Sequence, residues 1–175
     1  MENSVEVPAG QRAGRDPKGQ AQKGTRKQRG ELAEMGLMFK AAGLGFGVAK
    51  PCGGSERYDF ILDSGSRLWR VQVKSTYVAP AHSYAINAIG GSSLNKKSYT
   101  AEQIDMLVAY IVAEDAWYVV PIGAFAPRVH LKFYPTGSHY GGLYEKYREA
   151  WSLMKAEPEN HAFDHSSALG RLLPR

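Results

Sequence analysis

Hydrophobic and polar positions along the chain predict a helix, then a run of strands, then a second helix. From Gln28 onwards, apolar residues recur at the i, i+3, i+7 spacing of a buried helical stripe, which ends near Gly43; the stripe comprises Leu32, Met35, Phe39 and Ala42. Runs rich in aromatic and β-branched residues predict strands at 57–63, 68–75, 82–89, 104–113, 117–121 and 128–134. A final helix is predicted at about 143–155. This order indicates an α/β (α+β) fold with a mixed central sheet.

The predicted hairpin of strands 57–63 and 68–75 carries the candidate chemistry. Strand 68–75 alternates apolar and polar residues, which puts Gln72 and Lys74 on its polar face. If residues 65–66 form a two-residue turn, the numbers of paired residues sum to 131. Asp59 then lies opposite Gln72, with Lys74 one step further along the same face.

Asp59 interrupts an apolar strand, where a buried carboxylate is costly without a partner. A carboxylate, an amide and an ammonium on one patch suit a hard divalent cation such as Mg²⁺, which prefers oxygen ligands. Such an ion polarises a phosphodiester and activates a bound water. The structural alternatives are an Asp59 that is hydrogen-bonded to a turn or an arginine, and a Lys74 that is simply solvated.

A further carboxylate can come from the first helix, where Glu31 and Glu34 both lie beside the apolar stripe. Either residue could instead stabilise the helix N-terminus through the helix dipole. The residues alone leave this choice open.

Composition places the chain among soluble globular proteins, with 43% apolar and 22% charged residues. No apolar run is long enough to span a bilayer, and we expect neither a signal peptide nor a membrane association. The single cysteine, Cys52, excludes an internal disulfide and a zinc site of paired cysteines, so we expect a cytoplasmic protein. No histidine shows the spacing of a metal-binding motif.

The positive charge is concentrated near the N-terminus. The formal net charge is +5, and residues 1–29 hold seven basic against three acidic side chains. We therefore predict a disordered basic arm at 1–27, which either neutralises nucleic-acid phosphates or serves as a solubilising leader. A frayed tail is predicted at 157–175.

Two further segments have alternative interpretations. The stripe formed by Tyr144, Tyr147 and Trp151 is more typical of a core than of a platform for base stacking. The loop at 90–97 could contact a DNA backbone through Asn95, Lys96 and Lys97, or be an ordinary solvated loop.

Taken together, Glu31, the pair Tyr58-Asp59 and the run Gln72-Val73-Lys74-Ser75 resemble the PD-(D/E)XK nuclease superfamily. The resemblance is closest to the branch of group I intron-encoded homing endonucleases and covers roughly residues 28 to 125. The broad superfamily has a carboxylate where this chain has Gln72, although the homing branch also shows glutamine there.

The resemblance implies a restriction-endonuclease-like fold, with a mixed central sheet flanked by helices and an N-terminal helix preceding it, in a nuclease domain at 28–156. It implies a metal-dependent DNA endonuclease of the homing-endonuclease or resolvase type, with Glu31, Asp59, Gln72 and Lys74 as catalytic residues. The implied metal ligands are Glu31, Asp59, Gln72 and the Val73 carbonyl, binding Mg²⁺, with Mn²⁺ as a substitute.

The sequence also leads to an expectation about oligomeric assembly and to two alternative functions. Because cutting a duplex generally needs one active site per strand, a homodimer or higher homo-oligomer is expected. The main alternative function is a catalytically inactive DNA-binding module of the same fold, which has lost metal affinity through Gln72. The other alternative is an interaction domain whose hairpin pattern is coincidental.

Overall fold

One long helix packs against a five-stranded mixed sheet in the computed structural model, which describes residues 24–78, 83–90, 97–137 and 142–155. Most of the predicted basic arm, most of the 90–97 loop and the predicted tail therefore lie outside the described residues. The helices are α1 (Arg26–Gly43) and the short α2 (Ile122–Phe125). The strands are β1 (Gly47–Ala49), β2 (Phe60–Asp63), β3 (Leu68–Thr76), β4 (Tyr84–Asn87), β5 (Ile89–Gly90), β6 (Lys97–Ser98), β7 (Met106–Ile111), β8 (Ala116–Pro121) and β9 (His130–Phe133).

The main sheet has the strand order β1-β2-β3-β7-β8. Strands β3 and β7 are parallel, and every other pair of neighbouring strands in this sheet is antiparallel. One face of the sheet packs against α1. The other face is covered by the two-stranded β4–β9 sheet, α2 and the aromatic residues Tyr99 and Tyr144. This architecture confirms the predicted fold class. Neither described helix is long and apolar enough to cross a lipid bilayer.

Helix α1 begins two residues earlier than predicted. Thr25 is its N-cap, and the side chains and backbone of Thr25 and Gln28 form a reciprocal capping box. The helix ends at Gly43 as predicted, followed by Gly45 in the left-handed region at φ 87°.

The predicted buried stripe of α1 is wrong. Ala33, Leu37 and Ala41 are the buried residues, whereas Met35 and Phe39 are 64% and 86% exposed. Apart from Leu37, small side chains face the sheet, because the sheet brings bulky rings to this contact. The Trp117 ring lies in van der Waals range of the helix, since a Cβ added to Gly36 would sit 3.5 Å from it. Phe60 and Trp151 are among the other aromatic residues on this face. Met35 and Phe39 point outward.

The predicted register of the β2–β3 hairpin is confirmed. Phe60 pairs with Val71 and Asp63 with Leu68, so the paired numbers sum to 131. Gly65 takes a left-handed conformation at φ 89°, and the Ser64 N–H donates to the Arg67 carbonyl at 3.0 Å to close the turn. The strand β2 is shorter than predicted, since it begins only at Phe60.

The predicted final helix at 143–155 is wrong. The segment forms two 3₁₀ turns, at Glu145–Tyr147 and Trp151–Met154, separated by Glu149 in the left-handed region at φ 49°. The chain between the turns pairs with the edge of β8 instead, where the Glu149 N–H donates to the Trp117 carbonyl at 2.7 Å. The predicted core role of the aromatic residues is confirmed, because Tyr144 and Trp151 are buried, in the two clusters on opposite faces of the sheet.

Asp105, just before β7, ties the start of that strand to β3. Its carboxylate accepts from the Arg70 backbone N–H at 2.8 Å and from the Arg70 guanidinium at 3.1 Å, and it pairs with Arg67 at 3.3 Å. Burial raises the pKa of Asp105, but the hydrogen bonds and charge of Arg70 outweigh burial and lower it overall.

We expect Asp105→Asn to lower the free energy of unfolding by about 2 kcal/mol at pH 7, because hydrogen bonds to charged groups are lost. Because its pKa is lowered in the folded state, the ionised Asp105 carboxylate stabilises the fold. This stabilisation is fully present above the unfolded-state pKa of about 4 and is lost as the pH falls through the folded-state pKa. Urea unfolding at pH 7 and pH 3 measures both effects, with the exposed Glu56→Gln as control. An equal deficit at both pH values would contradict the assignment.

Candidate active site

The candidate site lies at the open edge of β3. Strand β2 pairs only with residues 68–71, so no strand among the described residues lies beside the rest of this β3 edge. Asp59, which precedes β2, covers the start of the open edge. Its backbone N–H donates to the Val71 carbonyl at 2.9 Å, and its carboxylate accepts from the Val73 N–H at 2.8 Å and from the Gln72 side-chain amide. The chain thus holds one carboxylate firmly against the backbone of β3.

A cavity of about 570 Å³ opens between this edge and helix α1. It is lined by Asp59, Gln72, Val73 and Lys74 from the hairpin and by Glu34 from α1. A second cavity, of about 230 Å³, shares Glu34 and Asp59 with the first. The two carboxylates therefore lie where the cavities meet.

Glu31 does not line either cavity. Its side chain is 54% exposed and lies 3.9 Å from the Lys27 ammonium on the helix surface. Glu34 is the more buried of the two, at 25% exposed, and forms an ion pair with Lys50 at 2.7 Å. Of the predicted site residues, the structure brings Asp59, Gln72, Val73 and Lys74 together, and it adds Glu34 to them rather than Glu31.

The site holds two half-buried side chains of opposite charge, Asp59 and Lys74. Burial raises the pKa of Asp59, against the opposing effect of the Val73 N–H hydrogen bond. Burial also lowers the pKa of the Lys74 ammonium, although the charges of Asp59 and Glu34 counteract it. The ammonium lies 5.9 Å from the centre of the buried Tyr99 ring, which closes this side of the site. The pKa of Asp59 is therefore higher, and the pKa of Lys74 lower, than in a solvated side chain.

The oxygen atoms around the cavity fit a hard divalent cation. The available donors are the carboxylates of Glu34 and Asp59, the carbonyl of Val73 and the amide of Gln72, all of them oxygen ligands of the kind Mg²⁺ takes beside its waters. No cluster of three His, Cys, Asp or Glu side chains suited to a metal exists within the described ranges. A cation bound here would thus rest on two carboxylates and neutral oxygens.

The amide of Gln72 is buried and hydrogen-bonded inside the site. Its NH₂ group donates to the Asp59 carboxylate and, at 3.2 Å, to the Val73 carbonyl. These are two of the oxygen atoms that would face a cation. The amide therefore satisfies the same oxygens with hydrogen bonds, which keeps the buried Asp59 from lacking a partner.

Sequence reasoning missed several residues that line the larger cavity beyond the carboxylates. Those with polar side chains include Arg26 and Arg29 on the first turn of α1 and Tyr77 just after β3. A signal for the arginines was present: Arg26, Arg29, Ala33 and Glu34 fall on one side of a helix at spacings of three, four and seven or eight residues.

A mixed sheet with a parallel β3–β7 pair, a preceding helix and an acidic cavity at the open end of the hairpin defines a restriction-endonuclease-like α/β protein. The family follows from a direct comparison. The model of the PD-(D/E)XK endonuclease family matches residues 25–154, and the chain belongs to this family. The resemblance read from the sequence is thereby confirmed.

Comparison with solved structures finds similar folds. The bacterial homing endonuclease I-Ssp6803I superposes with a TM-score of 0.63 at 27% sequence identity, over 75% of this chain and 93% of that chain. Hjc, a Holliday junction resolvase from the archaeal hyperthermophile Archaeoglobus fulgidus, superposes with a TM-score of 0.46 at 12% identity, over 74% of this chain and 98% of that chain. No curated protein matches the sequence.

Proposed function

We propose that the protein is a DNA endonuclease that uses a divalent cation, Mg²⁺ or its substitute Mn²⁺, to hydrolyse phosphodiester bonds. The observation that carries the proposal is the common cavity of Glu34, Asp59, Gln72, the Val73 carbonyl and Lys74 in a chain of the PD-(D/E)XK endonuclease family. The proposed catalytic unit is the domain predicted at 28–156, extended to the start of α1 at Arg26, and the preceding part of the basic arm predicted at 1–27 would add phosphate contacts.

Asp59 and Glu34 would hold the cation, with Val73 and Gln72 supplying neutral oxygens. A cation so placed polarises the phosphodiester and lowers the pKa of a bound water. Because Gln72 carries no charge, the site holds one negative charge fewer than a site with a third carboxylate, and cation affinity is correspondingly lower. The amide oxygen of Gln72 would bind the cation only after the hydrogen bond from its NH₂ group to the Asp59 carboxylate is broken.

Lys74 would act on the attacking water and on the reacting phosphate. The half-buried amine lines the same cavity as the carboxylates of Glu34 and Asp59. A lowered pKa makes the neutral amine more accessible as a proton acceptor at the water. In its charged form, the same group offsets negative charge that develops on the phosphate oxygens.

The substrate class that the comparisons favour is duplex DNA cut in the manner of a homing endonuclease. The 27% identity to I-Ssp6803I extends over 93% of that protein, so the two chains share nearly the whole fold of the homing enzyme. A homodimer or higher homo-oligomer would supply one site for each strand. Light scattering on the purified protein tests the assembly directly.

The function is tested by incubating the protein with DNA in Mg²⁺, in Mn²⁺ and in EDTA. Three substrates cover an unknown target: supercoiled plasmid, a duplex library with randomised positions and a four-way junction. We expect cleavage of at least one substrate with either metal and none in EDTA, with 5′ and 3′ ends identified by sequencing. Absence of cleavage on all three substrates with both metals would overturn the proposal.

A catalytically inactive DNA-binding module of the same fold is the second candidate. The hydrogen bonds from Gln72 to Asp59 and to the Val73 carbonyl favour it, because they satisfy both oxygens without a cation. This module would bind DNA equally well in Mg²⁺ and in EDTA, and it would show no calorimetric heat on titration with Mg²⁺ or Mn²⁺.

A further inference from the structure

The larger cavity extends past the carboxylates to a positively charged end. Arg26 and Arg29 line it there, together with Tyr77 from the segment after β3. The cavity therefore has two chemically distinct halves on the same side of α1: an acidic half at Glu34 and Asp59, and a basic half one to two helical turns towards the N-terminus.

We propose that Arg26 and Arg29 form a phosphate subsite that binds the nucleic-acid backbone next to the scissile phosphodiester. The proposal rests on the proposed nuclease function and goes beyond it by assigning the two residues that each hold a phosphate near the scissile one. Arginine suits this task because its planar guanidinium donates two parallel hydrogen bonds to phosphate oxygens.

Spacing along α1 supports the assignment. Arg29 precedes Glu34 by five residues, which corresponds to about 7.5 Å along the helix axis. Consecutive phosphates of one strand rise by about 3.4 Å along the duplex axis. A strand that runs along α1, with its scissile phosphate near Glu34 and Asp59, therefore brings a phosphate about two steps away to Arg29.

The local structure holds Arg29 in this position. The Tyr77 hydroxyl donates to the Arg29 carbonyl at 2.9 Å, and the Arg29 guanidinium lies over the Tyr77 ring, 5.5 Å from its centre. These contacts fasten the first turn of α1 to the end of β3. The part of the chain that the structure describes provides no carboxylate within ion-pair distance of Arg26 or Arg29. Their charges are thus available to an anion in the cavity.

Lys27 provides a matched control. It carries the same charge in the same helical turn, but its side chain is 87% exposed, lies beside Glu31 and does not line the cavity. A non-specific effect of positive charge would depend on Lys27 as much as on the arginines. A subsite inside the cavity would depend on the arginines alone.

The test compares the full-length double variant Arg26→Gln/Arg29→Gln with Lys27→Gln. Fluorescence anisotropy measures binding to a labelled 30-bp duplex of mixed sequence in Ca²⁺, from 50 to 200 mM KCl. We expect the slope of log K against log [KCl] to fall in magnitude by about 1.8 in the double variant, since each phosphate contact contributes about 0.9. The slope of Lys27→Gln should remain within about 0.3 of the wild type. Circular dichroism confirms that both variants are folded.

The outcomes separate this proposal from the nuclease function. The subsite is overturned, whether or not the wild type cleaves DNA, if the double variant keeps the wild-type slope, if Lys27→Gln lowers the slope by about 0.9 as a non-specific charge would, or if the wild type does not bind the duplex. A wild type that binds with the expected slopes but never cleaves would overturn the nuclease function and leave the subsite standing. Cleavage by the wild type, with kcat/KM unchanged in the double variant, would also overturn the subsite.

Discussion

Lys74→Ala is expected to reduce DNA cleavage by at least about 10³-fold while DNA affinity changes by less than about threefold. The ammonium lies in the cavity that holds Asp59 and Glu34, and burial lowers its pKa. Proton transfer by a positioned side chain contributes roughly 10²–10⁴-fold to a rate, and electrostatic stabilisation of the transition state adds a comparable factor. Single-turnover cleavage and anisotropy on the same DNA measure the two quantities.

Two variants determine what Lys74 contributes. Lys132→Ala removes an exposed lysine on β9, far along the chain from the site, and should cleave at the wild-type rate. Lys74→Arg keeps a positive charge that cannot be lost near neutral pH, so it retains activity only if charge alone is required. Wild-type cleavage by Lys74→Ala would rule out a catalytic role for this residue.

The second large effect is expected on metal binding. Asp59→Ala should eliminate the heat of Mg²⁺ or Mn²⁺ binding in isothermal titration calorimetry and, with it, cleavage. The Val73 N–H holds the Asp59 carboxylate in place, and Asp59→Ala removes one of the two carboxylates that line the cavity. The variant also removes one of the two acceptors of the buried Gln72 amide, and we expect a loss of about 1–3 kcal/mol in the free energy of unfolding.

The helix carboxylates supply a matched comparison for the same titration. Glu34→Gln removes the charge that lines both cavities and should weaken cation binding by about 10–100-fold. Glu31→Gln, one turn earlier on the exposed surface, should bind cations like the wild type. Cation binding that survives in Asp59→Ala, or that depends on Glu31 instead of Glu34, would contradict the proposed ligand set.

Local patterns were sufficient for the hairpin and the motif it carries. The turn at Gly65 sets the register between β2 and β3, and this register brings Asp59, just before β2, next to the β3 residues that carry Gln72 and Lys74. These relations involve residues close together in the chain, where alternation and turn geometry leave few choices. The family, the fold class and the hairpin half of the site were therefore predictable.

The face of α1 could not be predicted in the same way. Its long apolar residues Met35 and Phe39 suggested one buried side, but the sheet presents Trp117 and Phe60 to the helix and accommodates Ala33 and Ala41 instead. Volume complementarity between segments about 80 residues apart decides such a contact. The hydrophobic periodicity of a helix shows which side is apolar. It does not show which side has the shape that packs against the sheet.

That rotation of α1 has a direct consequence for the site. It turns Glu34, Arg26 and Arg29 into the cavity and leaves Glu31 on the surface. The same kind of long-range contact converts the apparent C-terminal helix into two 3₁₀ turns, because the backbone at Glu149 hydrogen-bonds to Trp117. Local sequence patterns were enough to predict the family and the candidate site residues on the strands. The candidate site residues on α1 were decided by how the helix packs against the sheet. Packing depends on the shapes of side chains that are distant in the sequence, and no local pattern contains those shapes.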